Sequence, residues 1–147
     1  MAWKRILDVF IEGEPKGQPR PRAFAKNGKA RVYSAATAEG WKGQIALAVR
    51  DLIPEEPLAG PVMVDAEFVM KRPKNHVRAN GELKDWAPNF HLHKPDRDNL
   101  DKVVLDTLTT IGLWEDDCQV VRGSITKRYA SPGERTGMRL VVEATGE

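Results

Sequence analysis

Residues 60–70, with the sequence GPVMVDAEFVM, alternate apolar and polar side chains in a regular way. One side of an extended chain would carry the apolar residues Val62, Val64, Ala66, Phe68 and Met70. The acidic side chains of the same stretch would then fall on the other side. This period of two predicts a strand that is buried on one face only. Such a strand needs a sheet with one apolar face and a second layer that covers it.

Two segments have the helical spacing that this second layer requires. The first spans residues 34–52, with Ser34 placed to cap it, and its apolar residues are Trp41, Ile45, Ala48, Val49 and Leu52. The second begins near Asp98 or Asn99, runs to about Thr110 and has Gly112 as its C-terminal stop. Its apolar stripe consists of Leu100, Val103, Val104, Leu108 and Ile111.

Further strands are predicted at both ends of the chain. Residues 3–12 are mostly apolar, and residues 119–130 and 137–145 give two final strands joined by the turn SPGERTG. A chain of 147 residues fits one domain. We therefore expect a single α+β domain, with an antiparallel or mixed sheet of about four or five strands and two helices on one face.

Composition narrows the class of protein. No apolar run approaches the roughly 18 residues that a membrane-spanning helix needs, so a membrane protein is not expected. The single cysteine, Cys118, excludes an internal disulfide and a cysteine zinc cage, and it suits a reducing cytoplasm. Beside Asp117, this cysteine is expected to be a small buried residue rather than a nucleophile.

A basic arm follows the first strand. Residues 13–34 contain prolines at 15, 19 and 21, and Asn27-Gly28 suggests a tight turn, such as that of a hairpin. Two interpretations stay open: a solvated loop, or an arm that grips DNA phosphates. The candidate contacts of the second interpretation are six basic residues with no acid among them: Lys16, Arg20, Arg22, Lys26, Lys29 and Arg31.

A second basic segment opens the long stretch between residues 71 and 95. Loops of this length inside a domain are usually functional or partly disordered. Lys71, Arg72 and Lys74 are candidate DNA contacts. His91 and His93 lack further zinc-ligand partners nearby, so exposure or DNA contact is expected for them rather than metal binding.

Acidic residues, in contrast to these basic segments, are concentrated in residues 96–117. Residues 96–117 hold seven acids against two bases, which leaves the rest of the chain with a surplus of seven bases. An acidic patch on a basic body is typical of metal-dependent work on a polyanion. Within it, the sequence HKPDRDNLDK (93–102) places three aspartates within six residues. Like charges packed this closely destabilise a fold unless something neutralises them.

Three interpretations of this cluster compete. Asp98 could be an ordinary helix cap. A calcium-binding EF-hand loop is disfavoured, because its glycine is missing and Thr107 stands where its glutamate should be. In an extended segment, Asp96 and Asp98 would point the same way with Cα atoms about 7 Å apart. Two carboxylates plus water and phosphate oxygens suit Mg²⁺. Lys102 could then face a scissile phosphate, and Asp117 is the candidate for a third carboxylate.

These residues resemble a known family. The string Lys94-Pro95-Asp96-x-Asp98-Asn99-Leu100-x-Lys102, then Asp106-x-Leu108, then Trp114-x-Asp116-Asp117-x-Gln119-Val120-Val121, is similar to the signature of the RusA family. Members are phage- and prophage-borne Holliday junction resolvases, endodeoxyribonucleases that need a divalent metal. The motif covers roughly residues 91–121.

The resemblance implies roles for individual residues. Asp96, Asp98 and Asp117 match metal-binding catalytic aspartates, and Lys102 matches a catalytic lysine. Supporting roles are implied for Asn99, Asp106 and Asp116, with Asp106 placed to pair with Lys102 across one helical turn. Asp101, where the family varies, is expected to face solvent.

The resemblance also implies the reaction. Mg²⁺, which Mn²⁺ can replace, would support phosphodiester hydrolysis in a four-way DNA junction, and a homodimer would make two symmetric cuts. Two alternatives stay open at the level of sequence. One is a nuclease for other branched DNAs, and the other is a junction- or DNA-binding module without catalysis, whose acids are only caps.

Overall fold

The structure, a computed structural model of the chain, describes residues 2–18, 22–26, 29–33 and 38–146. For residues 22–26 and 29–33 it describes the backbone only. In chain order the described strands and helices are β1 (Lys4–Glu12), β2 (Arg22–Lys26), β3 (Lys29–Tyr33), α1 (Glu39–Val49), β4 (Val62–Met70), α2 (Arg97–Thr110), β5 (Val120–Arg122), β6 (Ile125–Tyr129) and β7 (Gly137–Ala144).

Five of these strands form one mixed sheet. Strand β7 lies between β1 and β4 and is antiparallel to both. The other edge of β4 pairs in parallel with β5 and then with β6, which follow each other along it. With the two helices, this arrangement confirms the predicted α+β fold.

The alternation that defined β4 in the sequence is realised in the sheet. Val62, Val64, Ala66 and Phe68 are buried, whereas Asp65 and Glu67 are partly exposed on the opposite face. Strand β7 contributes Met138, Leu140 and Val142 to the same buried face. Burying this face against the helices removes apolar surface from water, the main favourable contribution to folding.

The helices cover that face and contact each other. The buried residues of α1 are Trp41, Ile45 and Val49, and those of α2 are Leu100, Val103, Val104, Thr107 and Leu108. The predicted stripes are therefore largely confirmed. Leu52 is the exception, because α1 ends at Val49 and the 3₁₀ turn that follows leaves Leu52 exposed. Ser34, the predicted cap of α1, lies outside the described residues.

The predicted single strand over residues 119–130 is two strands in the structure. The break falls at Gly123 and Ser124, where Gly123 has a φ of +149° and a Cβ would collide with the carbonyl oxygen of Val64. Ser124 donates hydrogen bonds from its amide and its hydroxyl to Asp65 Oδ1, at 2.8 and 2.9 Å. The close approach that only glycine permits separates β5 from β6.

The basic arm contains the predicted hairpin. Strands β2 and β3 pair in an antiparallel register that sets Arg22 opposite Tyr33 and Lys26 opposite Lys29. Asn27 and Gly28, where the sequence predicts the turn, lie outside the described residues. No helix in the described part of the chain has the length and apolar character needed to cross a membrane.

Candidate active site

Asp96 occupies the N-cap position of α2. Its backbone is extended, with φ −68° and ψ 152°, and its carbonyl oxygen accepts the first helical hydrogen bond from the Leu100 amide at 3.1 Å. Among the described residues, its carboxylate accepts no capping hydrogen bond from the helix. The interpretation of Asp98 as the helix cap is excluded, because the helix starts earlier and its N-cap is two residues before Asp98. The Asp96 carboxylate is therefore not engaged in capping.

Asp98 lies inside the first turn of α2 rather than in an extended segment. The extended geometry expected for residues 96–98 applies to Asp96 alone. Both carboxylates still lie at the helix N-terminus, where the aligned peptide dipoles favour negative charge. Asp96 is 45% exposed, and Lys94 Nζ approaches its Oδ2 at 3.8 Å. A cation or a phosphate in solvent can therefore reach the first turn of the helix.

The chain just before Asp96 is tethered by Lys127 of β6. Its ammonium donates hydrogen bonds to the carbonyl oxygens of His93 and Pro95, at 2.6 and 2.9 Å. Sequence reasoning missed this residue, although a signal existed. Lys127 is two residues from both Ile125 and Tyr129 in β6, so it lies on the same face of the strand as these two residues, whose side chains pack in the core. A lysine at a core-facing strand position indicates a specific polar partner.

The N-terminal arm packs on the same segment. The Gln18 amide donates to the Asn99 carbonyl oxygen at 3.0 Å. A Cβ at Gly17 would lie 2.8 Å from the Cβ of Pro95 and 3.2 Å from that of Asn99. The start of the basic arm thus lies directly against the acidic motif.

Lys102 lies one turn further along α2. Its Nζ is 3.6 Å from Asp106 Oδ2, which is the predicted pairing across one helical turn. Both residues interact electrostatically with Asp117. Asp117 therefore lies beside the middle of α2. Asp98 and Asp106 are eight residues apart, about 12 Å along the helix axis.

A compact turn presents Asp117. Asp116 caps a 3₁₀ turn over residues 117–119, with its Oδ1 accepting from the Cys118 amide at 3.0 Å. Gln119 Oε1 accepts from the amides of Glu115 and Asp116, each at 3.0 Å. Gln119 Nε2 donates to the carbonyl oxygens of Leu58 and Gly60, at 2.7 and 3.0 Å. Gln119 thus fixes the turn to the segment between α1 and β4. Its spacing from Asp116 is that of a capping box, which could have revealed this role in the sequence.

Asp116 and Asp117 have unequal acidity. A hydrogen bond with the Asp116 carboxyl raises the pKa of Asp117, and desolvation and the nearby negative charges add to this effect. The Cys118 amide, which donates to Asp116, lowers the pKa of Asp116. Cys118 is exposed, so the prediction of a buried cysteine was wrong. Desolvation and the charge of Asp116 raise the pKa of its thiol, which disfavours the nucleophilic thiolate.

Asp101 is half-buried instead of solvent-facing. It lines a small cavity with Val64, Val120, Arg122, Gly123 and Ile125, on the side of α2 that faces the sheet. Burial raises the pKa of this carboxyl, while Arg97 opposes that effect. The expectation failed because position 101, three residues before Val104, lies at the edge of the buried stripe of α2 and so reaches β4 and β5.

The chain matches the endodeoxyribonuclease RusA family over residues 12–140. The chain belongs to the RusA endodeoxyribonuclease family. It is 34% identical over 127 residues to the uncharacterized protein YqaN of Bacillus subtilis (strain 168), covering 84% of this chain and 88% of that protein. It is 25% identical over 127 residues to the crossover junction endodeoxyribonuclease RusA of Escherichia coli (strain K12), covering 83% and 86%. The same identity and coverage hold for the protein of that name from Enterobacteria phage 82.

Four aspartates of the motif in this RusA-family chain form two groups. Asp96 and Asp98 are at the start of α2, and Asp116 and Asp117 are beside its middle. Within the residues that the structure describes, no three His, Cys, Asp or Glu side chains converge as a metal site. The ligand type and number of the first group fit Mg²⁺, because this ion takes one or two carboxylates and keeps several waters.

The predicted DNA contacts have different surroundings. Lys16 is 44% exposed and pairs with Glu14 at 3.2 Å, and Lys71 and Lys74 are exposed. Arg72, by contrast, donates to the carbonyl oxygens of Ala130 and Pro88, at 2.7 and 2.8 Å. Its guanidinium therefore holds the chain together locally. Arg20 lies outside the described residues. For four of the candidates on β2 and β3, only the backbone is described: Arg22, Lys26, Lys29 and Arg31.

Proposed function

We propose that this protein is a Mg²⁺-dependent endonuclease that resolves four-way DNA junctions by two symmetric phosphodiester cuts. The observation that carries the proposal is the pair Asp96 and Asp98 at the start of α2, in a chain of the RusA family. The Asp96 carboxylate is accessible and is not engaged in capping. Relatives that cover most of the chain bear the name crossover junction endodeoxyribonuclease.

The carboxylates define where the metal would be held. Asp96 and Asp98 would bind Mg²⁺, with Mn²⁺ as a substitute, and Asp117 would supply a third carboxylate, either to the site of its own chain or to that of the partner subunit. When bound, the ion supplies Lewis acidity and a water activated for attack on phosphorus. Products would then carry 5′-phosphate and 3′-hydroxyl ends.

The side chains of this protein have separate tasks in that reaction. The ammonium of Lys102, 59% exposed and paired with Asp106, can donate to a non-bridging phosphate oxygen as negative charge develops there. Lys127 and Gln119 hold the two acidic segments in place through backbone carbonyls and amides. Asn99 is held against the arm through the Gln18 amide, so DNA bound by the arm would be directed to the acids.

Two symmetric cuts require two sites related by a two-fold axis. We therefore propose a homodimer with an isologous interface, in which the two sites face two opposite strands of the junction. Such an enzyme would act in recombination and repair in the cytoplasm of a bacterial or phage-infected cell, and a prophage origin is proposed with it.

The decisive experiment is cleavage of a synthetic four-way junction, with and without Mg²⁺, mapped at nucleotide resolution. We expect paired symmetric nicks that T4 ligase seals. Asp96→Asn should reduce the rate about a thousandfold, equivalent to roughly 4 kcal/mol of transition-state stabilisation. Junction binding should persist, because the substitution removes a negative charge.

Asp51→Asn is the matched control. Asp51 has a side chain that is 91% exposed after α1, and its loss should leave cleavage unchanged. Full activity of Asp96→Asn would refute the metal site. Equal cutting of forks, flaps and junctions would instead indicate a nuclease for branched DNA in general. Binding without cleavage by the wild type, in Mg²⁺ or Mn²⁺, would indicate a non-catalytic module.

A further inference from the structure

The loop between β4 and α2 exposes large apolar side chains close to the acidic motif. Trp86 is 58% exposed, Phe90 is 63% exposed and Leu92 is 85% exposed. Large exposed apolar side chains on a charged surface commonly mark an interaction site. Asp96 follows Leu92 by four residues, a distance of at most about 14 Å along the chain.

The backbone under these side chains is held firmly. The Tyr129 amide donates to the Asn89 carbonyl oxygen at 2.8 Å, and Phe90 forms a β-bridge with Arg128. His91 points inward, with its ring centroid 5.0 Å from that of Tyr129, so it is buried and not exposed as the sequence suggested. Phe90 and Leu92 flank it and point outward, in the alternation of an extended chain.

Trp86 is supported from its inner side. Its ring meets the buried ring of His76 edge to face, with centroids 5.1 Å apart. Arg72 Nη1 lies 3.2 Å from His76 Nδ1 and also donates to the Pro88 carbonyl oxygen. The indole is thus fixed at its base and open on its outer side, which spares a ligand the entropic cost of ordering it.

The charges around this surface favour a polyanion, because residues 71–95 carry six Lys or Arg against two acids, one of which, Asp85, pairs with Arg78 at 3.1 Å. Lys84 Nζ lies 5.8 Å from the Trp86 ring centroid, and the side chain of Lys94 is 86% exposed. Lys71 and Lys74 are exposed at the start of the same loop. Interfaces between proteins are depleted in lysine, whereas basic side chains interleaved with aromatic rings are typical of surfaces that bind unpaired nucleotides.

We propose that Trp86 and Phe90, with Leu92 as an apolar flank, form a base-stacking surface for nucleotides that leave the stack at a DNA branch point. This inference rests on the proposed function, because it takes branched DNA as the substrate. Bases at a branch point have lost a stacking neighbour, and every base offers a flat face to an aromatic ring. The surface would then favour branched DNA over intact duplex before any bond is cut.

Binding measurements in Ca²⁺, without cleavage, test this surface directly. Trp86→Ala and Phe90→Ala should each weaken binding to a four-way junction about tenfold or more. Their binding to linear duplex of the same length should not change. Leu47→Ala is the matched control, since Leu47 is 61% exposed on α1 and its loss should alter neither affinity.

Salt dependence separates stacking from charge. The Trp86 and Phe90 variants should keep the wild-type slope of log affinity against log salt. Lys74→Ala should lower the slope by about one, because it removes a phosphate contact. A 2-aminopurine at the branch point should report quenching with the wild type that Trp86→Ala abolishes.

The outcomes are distinguishable. Equal junction affinity in wild type and Trp86→Ala, with cleavage by the wild type intact, would refute the stacking surface and leave the proposed function standing. Trp86→Ala could instead change the oligomeric state while the dimers that still form bind the junction as tightly as the wild type. That result would show that the surface joins two copies of the chain, and it would also refute the proposal. Absence of junction binding and cleavage by the wild type would refute the proposed function together with this inference.

Discussion

The two acidic groups beside α2 are held in place by different chemistry. Ahead of Asp96, a cation fixes two carbonyl oxygens, with Lys127 Nζ at 2.6 Å from that of His93 and 2.9 Å from that of Pro95. Around Asp117, the neutral amide of Gln119 makes four hydrogen bonds, two to backbone amides and two to backbone carbonyls. The first tether leaves a positive charge near the carboxylates, whereas the second adds no charge.

This difference suggests distinct tasks. The Asp96 region is joined to the elements proposed to bind DNA, namely the basic arm through Gln18 and Asn99 and the 71–95 loop through His91 and His93. The Asp117 turn is joined to the connector before β4 and to Lys102 and Asp106 of α2. We therefore expect bound DNA to change the position of Asp96 more than that of Asp117.

The largest expected effect tests whether the two groups serve one site in one chain. Asp98→Asn and Asp117→Asn should each reduce cleavage about a thousandfold. In an equal mixture of the two variants, random assortment makes about half of the proposed dimers mixed. If Asp117 serves the partner subunit's site, each mixed dimer keeps one intact site and nicking returns. If each chain is self-contained, the mixture stays inactive.

Removal of the neutral tether should be the next largest effect. Gln119→Met loses four hydrogen bonds and should lower the free energy of unfolding by about 2–3 kcal/mol. Gln119→Glu keeps the two accepted bonds, loses the two donated ones and should fall between Met and wild type. Amide exchange should accelerate at Cys118 and Gln119 and remain slow at Leu100. Acceleration spread evenly over α2 would contradict a local role.

Removal of the charged tether should loosen the other region. Lys127→Met keeps most of the aliphatic stem and loses two charge-assisted hydrogen bonds, one of them exposed, which should cost about 2 kcal/mol. Amide exchange should accelerate at His91 and Leu100 and not at Cys118. Unchanged exchange at Leu100 would show that Lys127 does not position the start of α2.

Mild acid should lower the free energy of unfolding through the buried histidines of the 71–95 loop, and this is the smallest effect. Burial, the charge of Lys127 and that of His93 lower the pKa of His91 below its ordinary 6.5, and burial also lowers the pKa of His76. The unfolded chain therefore takes up protons first as the pH falls below 6.5, so the stability present above that value declines.

Urea unfolding at about pH 7.5 and about pH 5.5 measures this decline. His91→Phe keeps a ring against Tyr129 and removes the titrating group, so its stability should change less between the two pH values. An equal pH response in wild type and variant would exclude His91 as a source.

Much of the fold could be predicted because it depends on local periodicity. The alternation in β4 and the apolar stripe of α2 each repeat with the period of one secondary structure, and burial follows that period. Errors arose where the period was interrupted and at the edge of a buried stripe. Gly123 split one expected strand into β5 and β6, and Asp101, at the edge of the buried stripe of α2, lines a cavity against the sheet.

For the candidate site too, some features could be predicted from the sequence and others could not. The spacing of Asp96, Asp98, Lys102, Asp116 and Asp117 was sufficient by itself to indicate the RusA family and its acidic chemistry. The roles of these residues in metal binding and catalysis stay predictions until the substitutions are made. The Lys102–Asp106 pair could be foreseen because both residues share one helix.

Only the tertiary structure decided how the two acidic groups are held. Gln119 reaches a carbonyl 61 residues away, and Lys127 reaches one 32 residues away. Such contacts are set by which strands pair and how α2 lies on the sheet, and no local repeat in the sequence encodes them. The residue types of the motif can be read from neighbouring positions in the sequence. The position of these residues in space depends on hydrogen bonds between segments that meet only when the sheet has formed.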